Sequence, residues 1–302
     1  MERAMTGGPA TAAADERALA VPVAGGELVG TRWRSDASGR VVVGLHGITA
    51  NHRSFHGLAE RLEAPLVAFD LRGRGRSRTL PGPYDLDSLA VDVAAALDAL
   101  GVADAIVVGH SMGGFVAARL AASRPDLVAS LVLVDGGLPL APAGDPEALL
   151  GPAIERLSMT FASREEYRAF WQRHPAFVDW SPLAEEYVDY DLTSVDGALR
   201  PSALPEAVRV AMLGLGDADD ALATLDRVAA PIHLLTSPLG LLAEPPGLYG
   251  GRLDALLARV PAVQAREVPG TNHYTILLGA GLDAVAETIE HAAHEAAGKE
   301  MP

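Results

Sequence analysis

At 302 residues, with 49% hydrophobic and 21% charged side chains, the chain has a globular composition and the length for one large domain or two. A formal net charge of -15 and a pI near 4.9 argue against a binder of duplex nucleic acid, which carries a basic footprint. The absence of cysteine excludes a disulfide framework and thiolate chemistry.

Residues 1 to 18 are rich in alanine, glycine and charge and lack the apolar core of a secretory signal, and nowhere do 18 apolar residues run together. The expectation is a flexible N-terminus over 1–18 and a cytoplasmic protein with no membrane span. Short apolar runs then predict eight strands: Leu19–Val23, Leu28–Trp33, Val41–Leu45, Leu66–Phe69, Ile106–Val108, Leu131–Val134, Ile232–Leu235 and Val263–Val268. Helical patterns fall at Ser54–Leu62, at Leu86–Leu100 with Asp85 as N-cap, at Met112–Ser123 and at Leu282–Ala297. Strand alternating with helix predicts an α/β fold, a mostly parallel sheet covered by helices on both faces.

The rhythm breaks between Gly136 and about Leu204, where no clear strand is legible. That stretch holds helical fragments, several prolines and eight of the chain's 15 aromatic residues, among them Phe161, Phe170, Trp171 and Trp180. It predicts a helical cap over 138–204, inserted into a core made of 19–137 and 205–302. Aromatic residues at helical spacing usually hold a core together, but their concentration favours an apolar substrate cleft beneath the cap, with these four as candidate lining residues.

The chemistry concentrates at "IVVGHSMGGFVAARLAAS", where Ser111 stands between Gly109 and Gly113 on a predicted strand-to-helix corner. The corner exposes the hydroxyl, and small neighbours on either side let strand and helix pass closely. A serine hydroxyl is a poor nucleophile until a base takes its proton. Of the nine histidines, His273 in "VPGTNHYTILL" lies on a loop just beyond the last strand, the place such a base occupies. Acyl transfer also needs two backbone N–H groups aimed at the developing oxyanion. Met112, following Ser111, supplies one. The other is assigned to Ile48, after Gly47 in the loop behind the third strand.

With "LHGITANHRSF", "AFDLRGRGRS", "VVGHSMGG", "LVLVD" and "NHYTIL" in this order, from about residue 20 to the C-terminus, the chain resembles the α/β-hydrolase superfamily, specifically its capped esterase-like branch. The resemblance implies an eight-stranded sheet, a cap after the sixth strand, and Ser111 and His273 as catalytic residues. "DLRGRGRS" lacks the Gly-Lys-Ser/Thr ending of a phosphate loop and is assigned a structural turn.

The sequence departs from that pattern at the acid. The family's usual carboxylate follows the seventh strand, but Pro231 to Arg252 contains no aspartate and only Glu244. Asp135 ends the sixth predicted strand, where the carboxyl ends of parallel strands open into a crevice. Haloalkane dehalogenases look similar in placing their acid there. Asp135 is favoured as the triad acid, with Glu244 as the alternative. The implied activity is serine hydrolysis of an ester, thioester or lactone with an apolar body, with a small molecule as partner and neither metal nor organic cofactor. The alternatives are a carbon-carbon bond hydrolase or peracid-forming relative using the same triad, and a ligand receptor with little turnover; fold does not separate these chemistries.

Overall fold

The computed structural model describes residues 15–140 and 146–298. Ten strands appear in chain order: β1 (Glu16–Val23), β2 (Gly26–Trp33), β3 (Val42–Leu45), β4 (Leu66–Phe69), β5 (Ala105–His110), β6 (Val128–Val134), β7 (Leu192–Val195), β8 (Ala198–Pro201), β9 (Ile232–Thr236) and β10 (Val263–Glu267). Eight of them form one sheet in the spatial order β1-β2-β4-β3-β5-β6-β9-β10. β2 pairs antiparallel with β1 and β4, and every other pairing in this sheet is parallel.

The apolar runs at the centre follow from burial on both faces. β3, β4 and β5 are buried at every residue, which is why they read as continuous hydrophobic stretches. Val43, Val107, Leu131 and Leu133 pack with Leu89, Val93 and Phe115 of the helices Leu86–Leu100 and Met112–Ser123. Their neighbours one residue away, Val42, Ile106, Val108 and Val132, join Val285 and Ile289 of the helix Leu282–Gly298 on the other face. The expected cap of the helix Leu86–Leu100 forms, with Asp85 Oδ1 accepting from Ser88 N at 2.9 Å.

Several expectations need correction. Residues 1–14 of the expected flexible terminus lie outside the described residues, but Glu16 to Ala18 are paired in β1 against Thr31 to Trp33. Their mostly exposed, charged side chains hid the strand, since an edge strand with one solvated face need not read as apolar. The Ser54–Leu62 pattern resolves into a 3-10 turn at His52–Phe55 and one α-helical turn at His56–Ala59. Helices Pro205–Leu215 and Ala218–Leu225 were not anticipated.

Between β6 and Pro205 the insertion carries helices at Pro146–Ser158, Arg164–Gln172 and Pro182–Asp191. It is not strandless, because β7 and β8 form a hairpin. Asp196 and Gly197 turn it with φ of 51° and 80°, the left-handed pair that a two-residue hairpin demands. Its aromatic cluster, including Tyr167, Trp171, Phe177 and Tyr187, rests on Ala50 and Leu278 of the sheet domain. Among the described residues no helix is long and apolar enough to cross a membrane.

Candidate active site

The carboxyl ends of the parallel strands deliver the candidate residues. β5 ends at His110 and the chain turns immediately at Ser111, with φ 54° and ψ -121°, into the helix Met112–Ser123. The corner is possible because of its glycines. A Cβ on Gly109 would stand 2.4 Å from Gly113 O, and one on Gly113 would stand 1.9 Å from Leu45 O. Ser111 N donates to Val134 O at 3.0 Å, which pins the corner to the end of β6. Ser111 lines a cavity that His273 also lines.

Asp135 follows β6 directly and is fully buried. Its Oδ2 accepts from His273 Nδ1 at 2.7 Å, and its Oδ1 accepts from Ser237 N at 3.2 Å. Ser237, the first residue past β9, thus offers an N–H at the tip where a carboxylate was expected. The His273 loop is held independently. Ser237 Oγ donates to Asn272 O at 3.0 Å, His110 Nε2 donates to His273 O at 2.9 Å, and Asn272 Nδ2 reaches Ala176 O of the insertion at 3.0 Å. Donation through Nε2 leaves His110 Nδ1 as a bare acceptor, and burial holds this imidazole at about 3, well below its usual range. Glu244 is exposed on the loop after β9 and is not brought to His273.

The loop after β3 lies against the serine. A Cβ on Gly47 would stand 3.3 Å from Ser111 Cβ. The Gly47–Ile48 peptide is oriented from behind: Leu71 N donates to His46 Nε2 at 2.9 Å, so His46 carries its proton on Nδ1 and donates it to Gly47 O at 2.7 Å. Arg74, fully buried, donates to Ile48 O at 3.1 Å and contacts Met112 Sδ at 3.6 Å, tying the loop to the serine's helix. Among the described residues it meets no carboxylate, and burial lowers it to about 9. Arg72 forks onto Asp92 with two bonds of 2.6 Å. "DLRGRGRS" is a structural turn, as expected.

Residues 40–177 match the alpha/beta hydrolase fold family. The chain is 34% identical to the pimeloyl-[acyl-carrier protein] methyl ester esterase of Neisseria meningitidis serogroup C over 196 residues, 63% of this chain and 72% of that protein. The chain belongs to the alpha/beta hydrolase fold family. It is also 47% identical to lipase LipV of Mycobacterium tuberculosis over 100 residues, 33% of this chain, a match that spans only 38% of the lipase's length. In three dimensions it superposes on E-2-(acetamidomethylene)succinate hydrolase with a TM-score of 0.77 at 24% identity, covering 91% of this chain and all of the other, a likeness of fold.

Within this hydrolase fold, Ser111 and His273 open into a cavity of about 1290 Å³, its mouth included, lined on the sheet side by Gly47, Ile48 and His110. Two of the four expected aromatic residues, Phe170 and Trp171, line it. Phe161 and Trp180 do not. Phe161 is spent inside the insertion, bridging to Leu199 and packing edge-on to Tyr167, and the Trp180 indole donates to Glu185 at 3.1 Å away from the cavity. The hydrolase cavity has walls the sequence did not point to: Leu241, Leu242 and Leu248 from the loop after β9, Leu277 and Leu278 behind His273, and Arg156, His174 and Tyr187 from the insertion.

Proposed function

We propose that the protein is a serine hydrolase of carboxylic esters, thioesters or lactones with an apolar body, working through an acyl-enzyme under a cap formed by residues 138–204. The observation that carries this reading is the buried 2.7 Å contact of His273 Nδ1 with Asp135, at a cavity shared with the elbow serine. Asp135 fixes the imidazole tautomer and stabilises its cation, leaving Nε2 to take the Ser111 proton as Oγ attacks the carbonyl carbon. The oxyanion is received by the N–H groups of Met112 and Ile48. Donors aimed where charge develops are each worth about 3 kcal/mol in a water-poor site. His273 returns the proton to the leaving alkoxide or thiolate, and water then repeats the cycle to free the acid.

The names of the two curated relatives, an esterase and a lipase, favour an ester over other acyl substrates. The leucine-rich wall favours an apolar body, each buried CH₂ adding up to about 0.8 kcal/mol. A fluorophosphonate probe should label Ser111, and p-nitrophenyl esters from acetyl to hexanoyl should be turned over with rising kcat/KM. Full turnover by a folded Ser111→Ala protein would refute the serine mechanism, and a flat or falling chain-length series would refute the apolar cleft.

A further inference from the structure

The wall of the cavity formed by the insertion sets donors among apolar side chains such as Ala153 and Phe170. Arg156 is the only arginine among the described lining residues, and no carboxylate is among them. Its side chain is 3% exposed, with the guanidinium 4.9 Å from the Trp171 ring centroid. Among the described residues only Nη1 is bonded, to Asp191 Oδ2 at 2.6 Å and to Tyr167 OH. Nε and Nη2 make no hydrogen bond among the described residues. Asp191 has no capacity left for them: Oδ2 also takes the Tyr167 hydroxyl, while Oδ1 accepts Ser202 N at 3.2 Å and Ser202 Oγ at 2.8 Å. Asp191 therefore holds the guanidinium in place and leaves two edges of the fork unused. Leaving donors of a buried cation unpaired is costly unless a ligand completes them.

Three more donors line the cavity, Tyr187 and His174 from the insertion and Tyr274 from the His273 loop. Tyr187, 4% exposed, and Tyr274 line the cavity, and neither hydroxyl has a partner among the described residues. Burial raises both phenols above their ordinary range, so they keep their protons. His174 accepts Ala176 N on Nδ1 at 3.2 Å, which puts its proton on Nε2. Ring contacts connect this wall to the catalytic histidine, from His273 to Tyr274 at 5.8 Å, Tyr274 to Trp171 at 5.9 Å, and Trp171 to Arg156. Arg156 and His273 line the same cavity, so one ligand of sufficient length can reach both. Four donor residues with no acidic acceptor among them call for a ligand group that only accepts, and a carboxylate fits the fork of an arginine best.

We infer that the substrate is an ester bearing a second, free carboxylate, held by Arg156, Tyr187 and Tyr274 while its ester carbonyl meets Ser111. This rests on the hydrolase reading above. Hydrolysis consumes one water, transfers the acyl group to Ser111 Oγ and then to water, and releases the alcohol with the proton from His273; the second carboxylate is unchanged. The test is kcat/KM for monomethyl esters of dicarboxylic acids from four to ten carbons, against the dimethyl esters of the same acids. A parallel arm uses O-acetyl esters of hydroxy acids, which place the carboxylate on the alcohol side.

At the best chain length in one arm, the acidic ester should be preferred at least tenfold. Tyr187→Phe should cut that acidic-to-neutral ratio several-fold, and the charge-neutral pair Arg156→Met with Asp191→Asn should abolish it. Titration of the free dicarboxylates into folded Ser111→Ala protein by calorimetry should show binding that the monocarboxylates of equal length lack. Neutral esters turned over as well as acidic ones at every length in both arms would overturn the inference and leave the hydrolase intact. No turnover of any ester with dicarboxylate binding retained would instead overturn the hydrolase reading and leave the carboxylate site standing.

Discussion

The corners at the carboxyl edge of the sheet and the insertion above them contribute to one cavity by different routes. Ser111 and Asp135 are each the first residue after a buried strand, and His273 sits six residues past β10. Backbone bonds tie Ser111 to Val134 O and Asp135 to Leu235 O, and side-chain donors from His110 and Ser237 hold the His273 loop beside them. Arg156, Phe170, Trp171 and Tyr187 come from three helices, of which the first packs Leu157 into the sheet-domain core and the other two build the aromatic cluster. On the proposed reading, chemistry is held at the ends of buried strands and recognition by an insertion packed against the sheet domain. Substitutions at the corners should change rate, and substitutions in the insertion should change which substrate is taken.

The largest effect is expected at the nucleophile, where Ser111→Ala should lower turnover by several orders of magnitude without unfolding the protein, as ester kinetics beside a thermal melt would show. Next comes the acid. Asp135→Asn should cost up to about 10⁴ in kcat, the magnitude known for that exchange in a serine protease, by misorienting His273. Glu244→Gln, on an exposed loop, should stay within about threefold in the same assay. If Glu244→Gln proved the severe change, the acid would be misassigned.

In the insertion, Trp171→Ala should raise KM for long acyl esters by roughly tenfold, the equivalent of about two buried methylenes, and leave acetyl esters much less affected. Trp180→Ala, outside the cavity, should change neither by more than about twofold. Equal losses on short and long esters would mean that the insertion positions the catalytic groups as well as the substrate.

The two regions should also respond to pH in opposite directions. Burial holds His46 at about 4 and His110 at about 3, below their unfolded value of 6.5. The unfolded chain therefore binds protons first as pH falls. Stability conferred above 6.5 is lost progressively toward pH 4, by about 1.4 kcal/mol per pH unit for each proton. His56 is the reverse case, because its bond to Glu186 of the insertion raises it. That tie is complete below 6.5 and is lost as pH rises through the raised value. Melting temperature should fall between pH 6.5 and 4, less steeply in His110→Asn. The protection factors of amides in Pro182–Asp191, which remove the intrinsic pH dependence of exchange, should fall as pH rises through the raised His56 value in the wild type and show no such step in His56→Asn.

Most of the sheet and the serine corner were legible because local rules produce them. Buried parallel strands are apolar throughout, and Gly109 and Gly113 are required wherever strand and helix cross that closely. Asp135 was legible by subtraction, since the loop after β9 offered no aspartate. The hairpin at Asp196-Gly197 carried a short-range signal that the surrounding polar residues masked. What composition could not reveal is direction. Phe161 and Phe170 look alike in sequence, yet one packs inward and the other faces the cavity. Arg156 looks like any solvated helix arginine until Asp191 and Tyr167, far along the chain, turn it inward. The leucines 241, 242 and 248 sat among prolines and glycines and read only as loop.

The backbone at Ser111 carries one more consequence. A side chain at φ 54° and ψ -121° is held where glycine alone is comfortable, at a cost on the order of 1–3 kcal/mol. Replacing the serine by glycine would return that energy, less about 0.4–1 kcal/mol for the greater freedom of glycine in the unfolded chain. The inactive Ser111→Gly protein should therefore melt above the native one. A screen for thermostability alone would draw this sequence toward losing its proposed nucleophile, and selection on turnover is what would keep the serine in place.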